Sequence, residues 1–369
     1  MKKHAKAPLP EETDLTRSLL SWYDRNRRIL PWREDPSPYH VWISEIMLQQ
    51  TRVEAVKGYY KRFLTRFPDV RALAEADERE CLKLWEGLGY YSRARNLQKA
   101  ARQILADHGG SMPRTAKELQ KLAGIGPYTS AAIASIAFGE RIPAVDGNLL
   151  RVYARLALYE EDCRTPAAAA AARGFFLAHM PDDRPGDFNQ ALMDLGALVC
   201  TPGDTPRCSG DVGDPVSENC PLQKHCGAFR EGRCARLPVM PARKERRIDK
   251  KTVLIIRDAD RVLIRKRPSR GLLAGLYEFP NEEGWLGEEE ALEAARAYGT
   301  DPVRIRALPE AKHIFTHREW HMRGYELTIG SYPEAGETGD CLFAGPGDLQ
   351  EKYPLPGAFA AFYPADWRR

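Results

Sequence analysis

The stretch LAGIGPYTSAAIASIAFG at residues 122–139, followed by PAVDGN at residues 143–148, decides the fold of this chain. The residues just before it, TAKELQK, carry a capping-box pattern that predicts the start of a helix. Gly124 and Gly126 then predict its end, and TSAAIASIAFG predicts a second helix. The sequence therefore predicts two short helices joined by a glycine hairpin.

The hairpin and the segment after it contain candidate functional groups. Glycines at 124 and 126 let the backbone approach another group closely, and N–H groups at the start of a helix suit a phosphate. A plain packing corner between two helices is the alternative. Asp146 stands just ahead of a helix that we expect to start near Asn148, so its simplest role is that of an N-cap.

Length and charge bound the class of protein. At 369 residues the chain favours two domains and a connector. The 55 Lys and Arg residues against 51 Asp and Glu residues give a net charge of +4, which allows a polyanionic partner without requiring one. No apolar stretch approaches the roughly 20 residues that span a bilayer. We therefore expect a soluble, intracellular protein with no membrane contact.

The hydrophobic period changes along the chain. From about residue 12 to 200 the apolar residues follow the helical period, and after about residue 251 they follow the strand period, as in TVLIIR and RVLIRKR. The basic stretch between them has no period and is typical of a linker. We predict a multi-domain protein with an all-α domain at 1–234, a linker at 235–250 and an α+β domain at 251–369.

An acidic residue lies inside one of the most apolar helices. Glu45 is embedded in the segment VWISEIMLQQTRV at 41–53. If this side chain is buried, its pKa rises, and the group could hold a proton near neutrality and deliver it to a leaving group. The alternative is that Glu45 points from the helix into solvent.

Several segments resemble one known family, in the same order along the chain. The hairpin with PAVDGN resembles the helix-hairpin-helix, glycine/proline-rich loop and aspartate of the endonuclease III superfamily. The segment around Glu45, with LPWR before it and WEGLGYYSRARNL after it, resembles the MutY-type adenine glycosylases. The resemblance spans roughly residues 12 to 362.

The resemblance implies roles for the two acids. In that family the glutamate is the general acid, so Glu45 would protonate adenine at N7, and Asp146 would stabilise the oxocarbenium ion. Asn148 and Tyr128 join the catalytic candidates. The superfamily members that also cut the strand use a hairpin lysine where this chain has Tyr128, so the chemistry should stop at hydrolysis. Gly124 and Gly126 would grip a DNA phosphate.

Further positions match side chains that contact DNA in the family. Gln50 and Tyr90 resemble side chains that wedge into the base stack near the oxidised guanine. Positions around the extruded adenine are matched by Trp32, Arg33, Tyr128 and Gln190. For Trp32 and Tyr90, core packing is the alternative.

Five of the eight cysteines crowd into one stretch, which suggests metal ligation. The stretch resembles the family's loop for a [4Fe–4S] cluster, with ligands Cys200, Cys208, Cys220 and Cys226. The family spacing has six, two and five intervening residues, whereas this chain has seven, eleven and five. Cys234 is therefore an alternative ligand, zinc with His225 nearby an alternative metal, and unliganded thiols a third possibility.

The C-terminal domain resembles the family's Nudix-like domain. Phe315, Thr316 and His317 match the short segment that contacts 8-oxoguanine, although His317 alone could be a core histidine. The alternative is a Nudix hydrolase, but the only acidic helix, GEEEALEAARAYG, lacks the pattern that chelates magnesium. We interpret the domain as a binding module.

Together these features predict a monofunctional adenine DNA glycosylase of base excision repair. Its expected partner is double-stranded DNA with adenine opposite 8-oxoguanine or guanine. We also expect a monomer with a bacterial-type cytoplasmic, nucleoid-associated location. Two alternatives stay open: a bifunctional, pyrimidine-directed endonuclease III-like glycosylase and a non-catalytic, zinc-held damage-binding protein.

Overall fold

The chain folds into two compact units. The computed structural model describes residues 13–203, 206–209, 220–241, 245–330 and 340–364. The first unit comprises Met1–Ala74 and Lys99–Ala242, and the second comprises Glu75–Gln98 and Arg243–Arg369. The domain boundaries predicted at 234 and 251 follow chain order and remain a prediction.

The regular elements described before residue 245 are all helical, as predicted. In chain order the α-helices are α1 (Asp14–Asn26), α2 (Pro31–Glu34), α3 (Pro38–Leu48), α4 (Val53–Arg66), α5 (Val70–Glu75), α6 (Glu78–Leu84), α7 (Ser92–His108), α8 (Ala116–Leu119), α9 (Pro127–Phe138), α10 (Gly147–Ala157), α11 (Pro166–His179), α12 (Pro185–Leu198) and α13 (Gly227–Arg230).

The helices that carry Glu45 and Tyr128 are largely buried. In α3 every residue from Tyr39 to Met47 is buried except His40, and α9 is buried from Thr129 to Ser135. Helix α9 packs on α3, α8 and α12, and α12 also packs on α1 and α10. These long apolar helices therefore form a scaffold on which polar side chains hold fixed positions.

The second unit is built on one mixed sheet. Its strands are β1 (Arg247–Asp258), β2 (Arg261–Lys266), β3 (Tyr277–Glu278), β4 (Asn281–Glu283), β5 (Pro302–Ile314), β6 (Arg318–Ile329) and β7 (Cys341–Ala344), with helices α14 (Glu288–Ala297) and α15 (Pro346–Glu351). The order is β3-β2-β1-β6-β5, with β4 paired to β1 and β7 to β2. Strands β1 and β6 are parallel, and the other pairs are antiparallel.

The structure differs from the sequence expectation in two places. Strand β1 begins at Arg247, inside the stretch expected to be linker, because its first residues pair with the start of β6 at Arg318. The strand period of this part of the chain also predicts a strand at HIFTH (313–317), but β5 ends at Ile314 and β6 begins at Arg318. Residues 315–317 therefore form the connection of a hairpin.

The segment 75–98 packs within the second unit through hydrogen bonds from its side chains to main-chain atoms. Lys83 Nζ donates to the Leu349 carbonyl, at 2.6 Å, and the Leu355 N–H donates to a carboxylate oxygen of Glu86, at 2.8 Å. Arg95 donates to the Ala274 carbonyl. Charged side chains of this segment thus satisfy backbone carbonyls and amides of the sheet-containing part.

Candidate active site

Glu45 is buried, as predicted. Its residue is 6% exposed and sits on α3 among Trp42, Ile43 and Met47, which are fully buried. Burial raises the pKa of Glu45 from 4.5 to about 7, and the negative charge of Asp146 acts in the same direction. The alternative in which this carboxyl points into solvent is wrong, and the group can carry a proton at neutral pH.

Tyr128 is the hydrogen-bonding partner of that carboxyl. Its hydroxyl, on the first turn of α9, donates to Glu45 Oε2 at 2.6 Å. Burial, followed by the charges of Glu45 and Asp146, raises the pKa of Tyr128 well above its ordinary value, so the hydroxyl keeps its proton. The hydrogen bond lowers the pKa of Glu45, against the larger effect of burial. Tyr128 therefore fixes one oxygen of the acid and moderates its proton affinity.

Asp146 is the N-cap of α10, as predicted from the sequence. One carboxylate oxygen accepts from the Leu149 N–H and the other from Asn148 Nδ2, both at 2.8 Å. Burial raises the pKa of Asp146, while these hydrogen bonds lower it. Burial is the larger of the two influences, so the pKa of Asp146 lies above its ordinary value. Asp146 nevertheless has the environment of an anion, with donors on both oxygens.

One cavity brings the predicted catalytic residues together with those predicted to surround the adenine. It has a volume of about 200 Å³, below the roughly 300 Å³ at which pockets for drug-sized ligands begin, so it suits a single small ring system. Its walls include seven of the predicted site residues: Trp32, Arg33, Glu45, Tyr128, Asp146, Asn148 and Gln190. Trp32 is both buried and part of this wall, so its core-packing alternative and its site role are compatible.

A buried arginine, missed in the sequence analysis, connects the aspartate to the cysteine-rich loop. Asn148 donates to Asp146 and accepts from Arg151 Nη2, at 2.8 Å each. Arg151 Nε donates to the Cys200 carbonyl at 2.8 Å. A Cβ atom on Gly196 would lie 2.8 Å from the Asn148 Cβ atom, so a glycine is required beside this chain of bonds.

A second ion-paired group, also missed, lies behind the cavity. Arg28 and Arg33 both line the cavity wall, and both pair with Asp194, which is fully buried on α12. A signal for Asp194 was present in the sequence, because it lies in the apolar segment ALMDLGAL just as Glu45 lies in its own.

The glycine hairpin has the expected backbone. Gly124 adopts a φ of +73°, in the left-handed region that favours glycine, and Gly126 is the N-cap residue of α9 without a side-chain cap. A Cβ atom on Gly126 would meet nothing within 4 Å. Packing among the described residues therefore does not require glycine at 126, and there is room for another group to approach this backbone.

The two predicted wedge residues share an unusual conformation. Gln50 follows the end of α3 with a φ of +58°, and Tyr90 has a φ of +48°. Both are exposed, and Tyr90 retains 46% of its accessible surface. Core packing is therefore the wrong interpretation for Tyr90. Left-handed non-glycine residues are uncommon and concentrate at functional positions.

In the second unit, the predicted segment 315–317 lies at the β5–β6 hairpin. Thr316 and His317 are exposed, which makes the core-histidine alternative for His317 wrong. The Thr316 hydroxyl is 2.7 Å from the hydroxyl of Tyr90. Phe315 is half-buried, with its ring 4.9 Å from the Trp320 ring. The hairpin thus exposes two polar side chains next to a half-buried phenylalanine.

The acidic helix of this unit is a solvated surface helix. The side chains of Glu288, Glu289 and Glu290 are exposed on α14, while Ala291 and Ala295 face the core. Among the residues that the structure describes, no group of three or more His, Cys, Asp or Glu side chains has an arrangement that could hold a metal ion. The acidic residues of this helix thus face solvent.

The five cysteines of the cysteine-rich loop gather in the apolar core of the first unit. Cys200 Sγ accepts a hydrogen bond from the buried Arg155, at 3.3 Å, and backbone N–H groups donate to the sulfurs of Cys220 and Cys226. Burial, with the neighbouring thiols, raises the pKa of Cys220 to about 12. Hydrogen bonds to the sulfur atoms are typical of cysteine thiolates that bind a metal or an iron–sulfur cluster. In the described part of the chain, however, these cysteines are not arranged so that they could hold a metal ion. Most of the insertion at 209–219 lies outside the described residues.

His225, the histidine considered as a zinc ligand, lies beside an acidic side chain. Its Nε2 atom lies 3.3 Å from an Asp14 carboxylate oxygen. Cys234 is buried, and its thiol is within hydrogen-bonding reach of Cys208 and Cys226.

Two family models cover most of the chain. Residues 43–175 match the HhH-GPD superfamily of base excision DNA repair proteins, and residues 252–364 match the NUDIX domain. No helix among the described residues is long and apolar enough to cross a membrane.

Curated proteins and one solved structure extend these matches. The adenine DNA glycosylase of Mus musculus is 36% identical over 388 residues, covering 89% of this chain and 73% of that protein. That of Homo sapiens is 35% identical, covering 88% of this chain and 69% of that protein. The solved structure of a thermostable thymine-DNA glycosylase is 29% identical, with a TM-score of 0.50, and covers 58% of this chain and 95% of that one.

Proposed function

The chain belongs to the adenine DNA glycosylase family, and we propose that its Glu45 and Asp146 enclose one extruded adenine nucleotide in opposite ionisation states. Membership confirms the predicted fold class and an activity in base excision repair, and it favours this activity over the pyrimidine-directed and non-catalytic alternatives. What it leaves for a proposal is the role of each side chain, the mispair and the cofactor.

The observation that carries the proposal is the pair of acids in one small cavity. Glu45 holds its proton near pH 7 and transfers it to N7 of adenine. The C1′–N9 bond then breaks, and its electron pair leaves with the protonated base. The cavity walls combine apolar side chains, such as Leu30 and Ile136, with polar groups that hydrogen bonds hold in place, such as Glu45 and Asp146.

Asp146 supports the cation that this cleavage leaves. Its carboxylate faces the same cavity and stabilises the positive charge on the sugar, while Asn148 and the Leu149 N–H hold it in place. Water then adds to C1′ and loses a proton, which leaves an abasic site. With Tyr128 in the hairpin, no amine is available there to form a Schiff base, so the strand stays intact.

Around the adenine, the pocket wall supplies Trp32 for stacking, with Arg33 and Gln190 as hydrogen-bonding groups. Gly124 and Gly126 bring the backbone of the hairpin to a DNA phosphate. Extruding a base costs a few kcal/mol, and less at a mispair.

The opposite base is proposed to be 8-oxoguanine or guanine. Gln50 and Tyr90 would enter the base stack, and Phe315, Thr316 and His317 would inspect the oxidised edge. The exposure of the hairpin 315–317 and its bond to Tyr90 support a shared role in lesion contact. The protein is proposed to act as a monomer, and a cytoplasmic, nucleoid-associated location remains a prediction.

The cofactor is proposed to be a [4Fe–4S] cluster on Cys200, Cys208, Cys220 and Cys226. When bound, it would hold the loop and help to direct it towards a phosphate rather than take part in bond cleavage. Hydrogen bonds to three of the sulfurs support thiolate ligation. Iron and acid-labile sulfide in the purified protein would support the cluster, and stoichiometric zinc would contradict it.

The proposed function is tested with defined duplexes under single-turnover conditions. We expect free adenine from adenine opposite 8-oxoguanine and from adenine opposite guanine, with the strand intact until alkali or heat is applied. Spontaneous nicking with an adduct that borohydride traps would contradict the monofunctional mechanism. Release of thymine derivatives instead of adenine would contradict the substrate.

A further inference from the structure

Behind the cavity wall, one carboxylate holds two arginines. Asp194 Oδ1 accepts from Arg33 Nη2 at 3.0 Å and from Arg28 Nε at 2.8 Å, and Arg28 Nη2 lies 2.6 Å from the same oxygen. Asp194 Oδ2 accepts from Arg33 Nη1 at 2.7 Å and from the Arg28 backbone N–H at 3.2 Å. Asp194 is fully buried, and all of these donors belong to two residues.

The two guanidinium groups have different geometry. Arg33 binds Asp194 with two parallel N–H···O bonds, the arrangement that gives an arginine the best defined orientation. Arg33 Nη1 also donates to the Arg28 carbonyl, at 3.2 Å, and its guanidinium lies 5.6 Å from the Tyr23 ring centre. Because Asp194 does not line the cavity while both arginines do, it can act on the cavity only through them.

Charge is the second consequence of this arrangement. Two guanidinium groups and one carboxylate leave a net charge of +1, whereas without Asp194 the wall would carry +2. The charged or titratable groups that act on Glu45 are Tyr128 from α9, Asp146 at the start of α10 and Arg33 from α2. An uncompensated Arg33 would therefore favour the ionised form of Glu45, which cannot donate a proton.

We propose that Asp194 is a positioning residue for adenine excision, which fixes Arg33 and Arg28 in the cavity wall and balances their charge beside the general acid. The inference rests on the proposed function, since it assumes that the cavity takes adenine and that Glu45 donates a proton. Helix α12 also lines the cavity directly, through Gln190, Met193 and Ala197, so the helix that carries Asp194 is itself part of the site.

The test is the Asp194→Asn variant, measured as the single-turnover rate of adenine release across pH. Asparagine keeps the shape of the side chain but loses the charge and one acceptor. We expect the rate to fall about 10- to 100-fold, as for a misplaced positioning group. In the pH profile, the limb on which the rate falls as pH rises should also move to a pH about one unit lower, because the uncompensated Arg33 disfavours protonated Glu45.

Two further variants separate charge from geometry. Asp187→Asn removes another ion-paired carboxylate of α12, one that bonds Arg184 instead, and should stay within about twofold of the parent protein. The double change Arg28→Gln with Asp194→Asn restores the net charge of +1. It should return the pH limb to its original position while the rate stays low, and it also tests the idea if Asp194→Asn alone fails to fold.

The outcomes distinguish this inference from the function on which it rests. If the parent protein releases no adenine, the proposed function fails. If the parent protein is active and Asp194→Asn behaves like Asp187→Asn, the positioning role is overturned while the function stands. A slower Asp194→Asn variant with an unmoved pH limb would also overturn the inference, because it would make Asp194 merely structural.

Discussion

Replacing Tyr128 by phenylalanine removes the hydroxyl that donates to Glu45 Oε2 at 2.6 Å. That hydrogen bond favours the ionised carboxylate and lowers its pKa, so its loss should raise the pKa of Glu45 above about 7. A hydrogen bond to a charged group contributes about 1.5 to 3 kcal/mol, and one pKa unit corresponds to about 1.4 kcal/mol. We therefore expect a shift of about one unit or more.

The sign follows from the role of the acid. Glu45 is active when protonated, so the rate falls as pH rises through its pKa, and a higher pKa moves that fall to higher pH. The assay is single-turnover release of adenine from a duplex with adenine opposite 8-oxoguanine, between about pH 5 and pH 9. Tyr39→Phe is the matched control, because Tyr39 is also buried and its hydroxyl donates to the Phe67 carbonyl instead.

The Tyr128→Phe variant can also refute the reasoning. A fall at lower pH than in the parent protein would mean that the hydroxyl supports the protonated acid rather than the anion. If the rate falls at the same pH in Tyr128→Phe as in Tyr39→Phe and the parent protein, that fall does not report the ionisation of Glu45.

Further outcomes follow from the site. Phe315→Ala combined with His317→Ala should reduce the preference for 8-oxoguanine over guanine more than it slows cutting, and an equal loss on both duplexes would contradict lesion contact by this hairpin. Asp146→Asn should abolish excision, but its side-chain oxygen can still accept from the Leu149 N–H. The free energy of unfolding, measured by thermal denaturation, should therefore change by less than the roughly 1 kcal/mol that loss of a cap costs. Undiminished excision by this variant would rule out the anionic role of Asp146. Loss of stability beyond that value would show that the charge, rather than the cap, holds α10.

Local patterns in the sequence were enough to predict the helical part, its hairpin and its cap. The turn at Gly124 and the cap at Asp146 each depend on neighbours within a few residues, and the structure has both. The apolar run around Glu45 left burial and exposure open, and only the resemblance favoured the buried acid that the structure has. Strands of two or three residues, such as Tyr277–Glu278, are too short to show a period, and they were not predicted.

Pairing between distant residues was beyond sequence reasoning. The parallel pairing of β1 with β6 joins Arg247 to Arg318, and it extends β1 into a stretch that has no apolar period of its own. The bond between Tyr90 and Thr316 likewise joins residues that no local pattern connects. Asp194 is different, because the rule that identified Glu45, an acid in an apolar run, applied to it as well.

The most direct test of the two-acid account is the release of free adenine by Glu45→Gln. Glutamine keeps the size of the side chain but has no acidic proton to transfer, so the account predicts that the variant binds the mispaired duplex as the parent protein does and releases no adenine. Adenine release at the parent rate from that same duplex would contradict it.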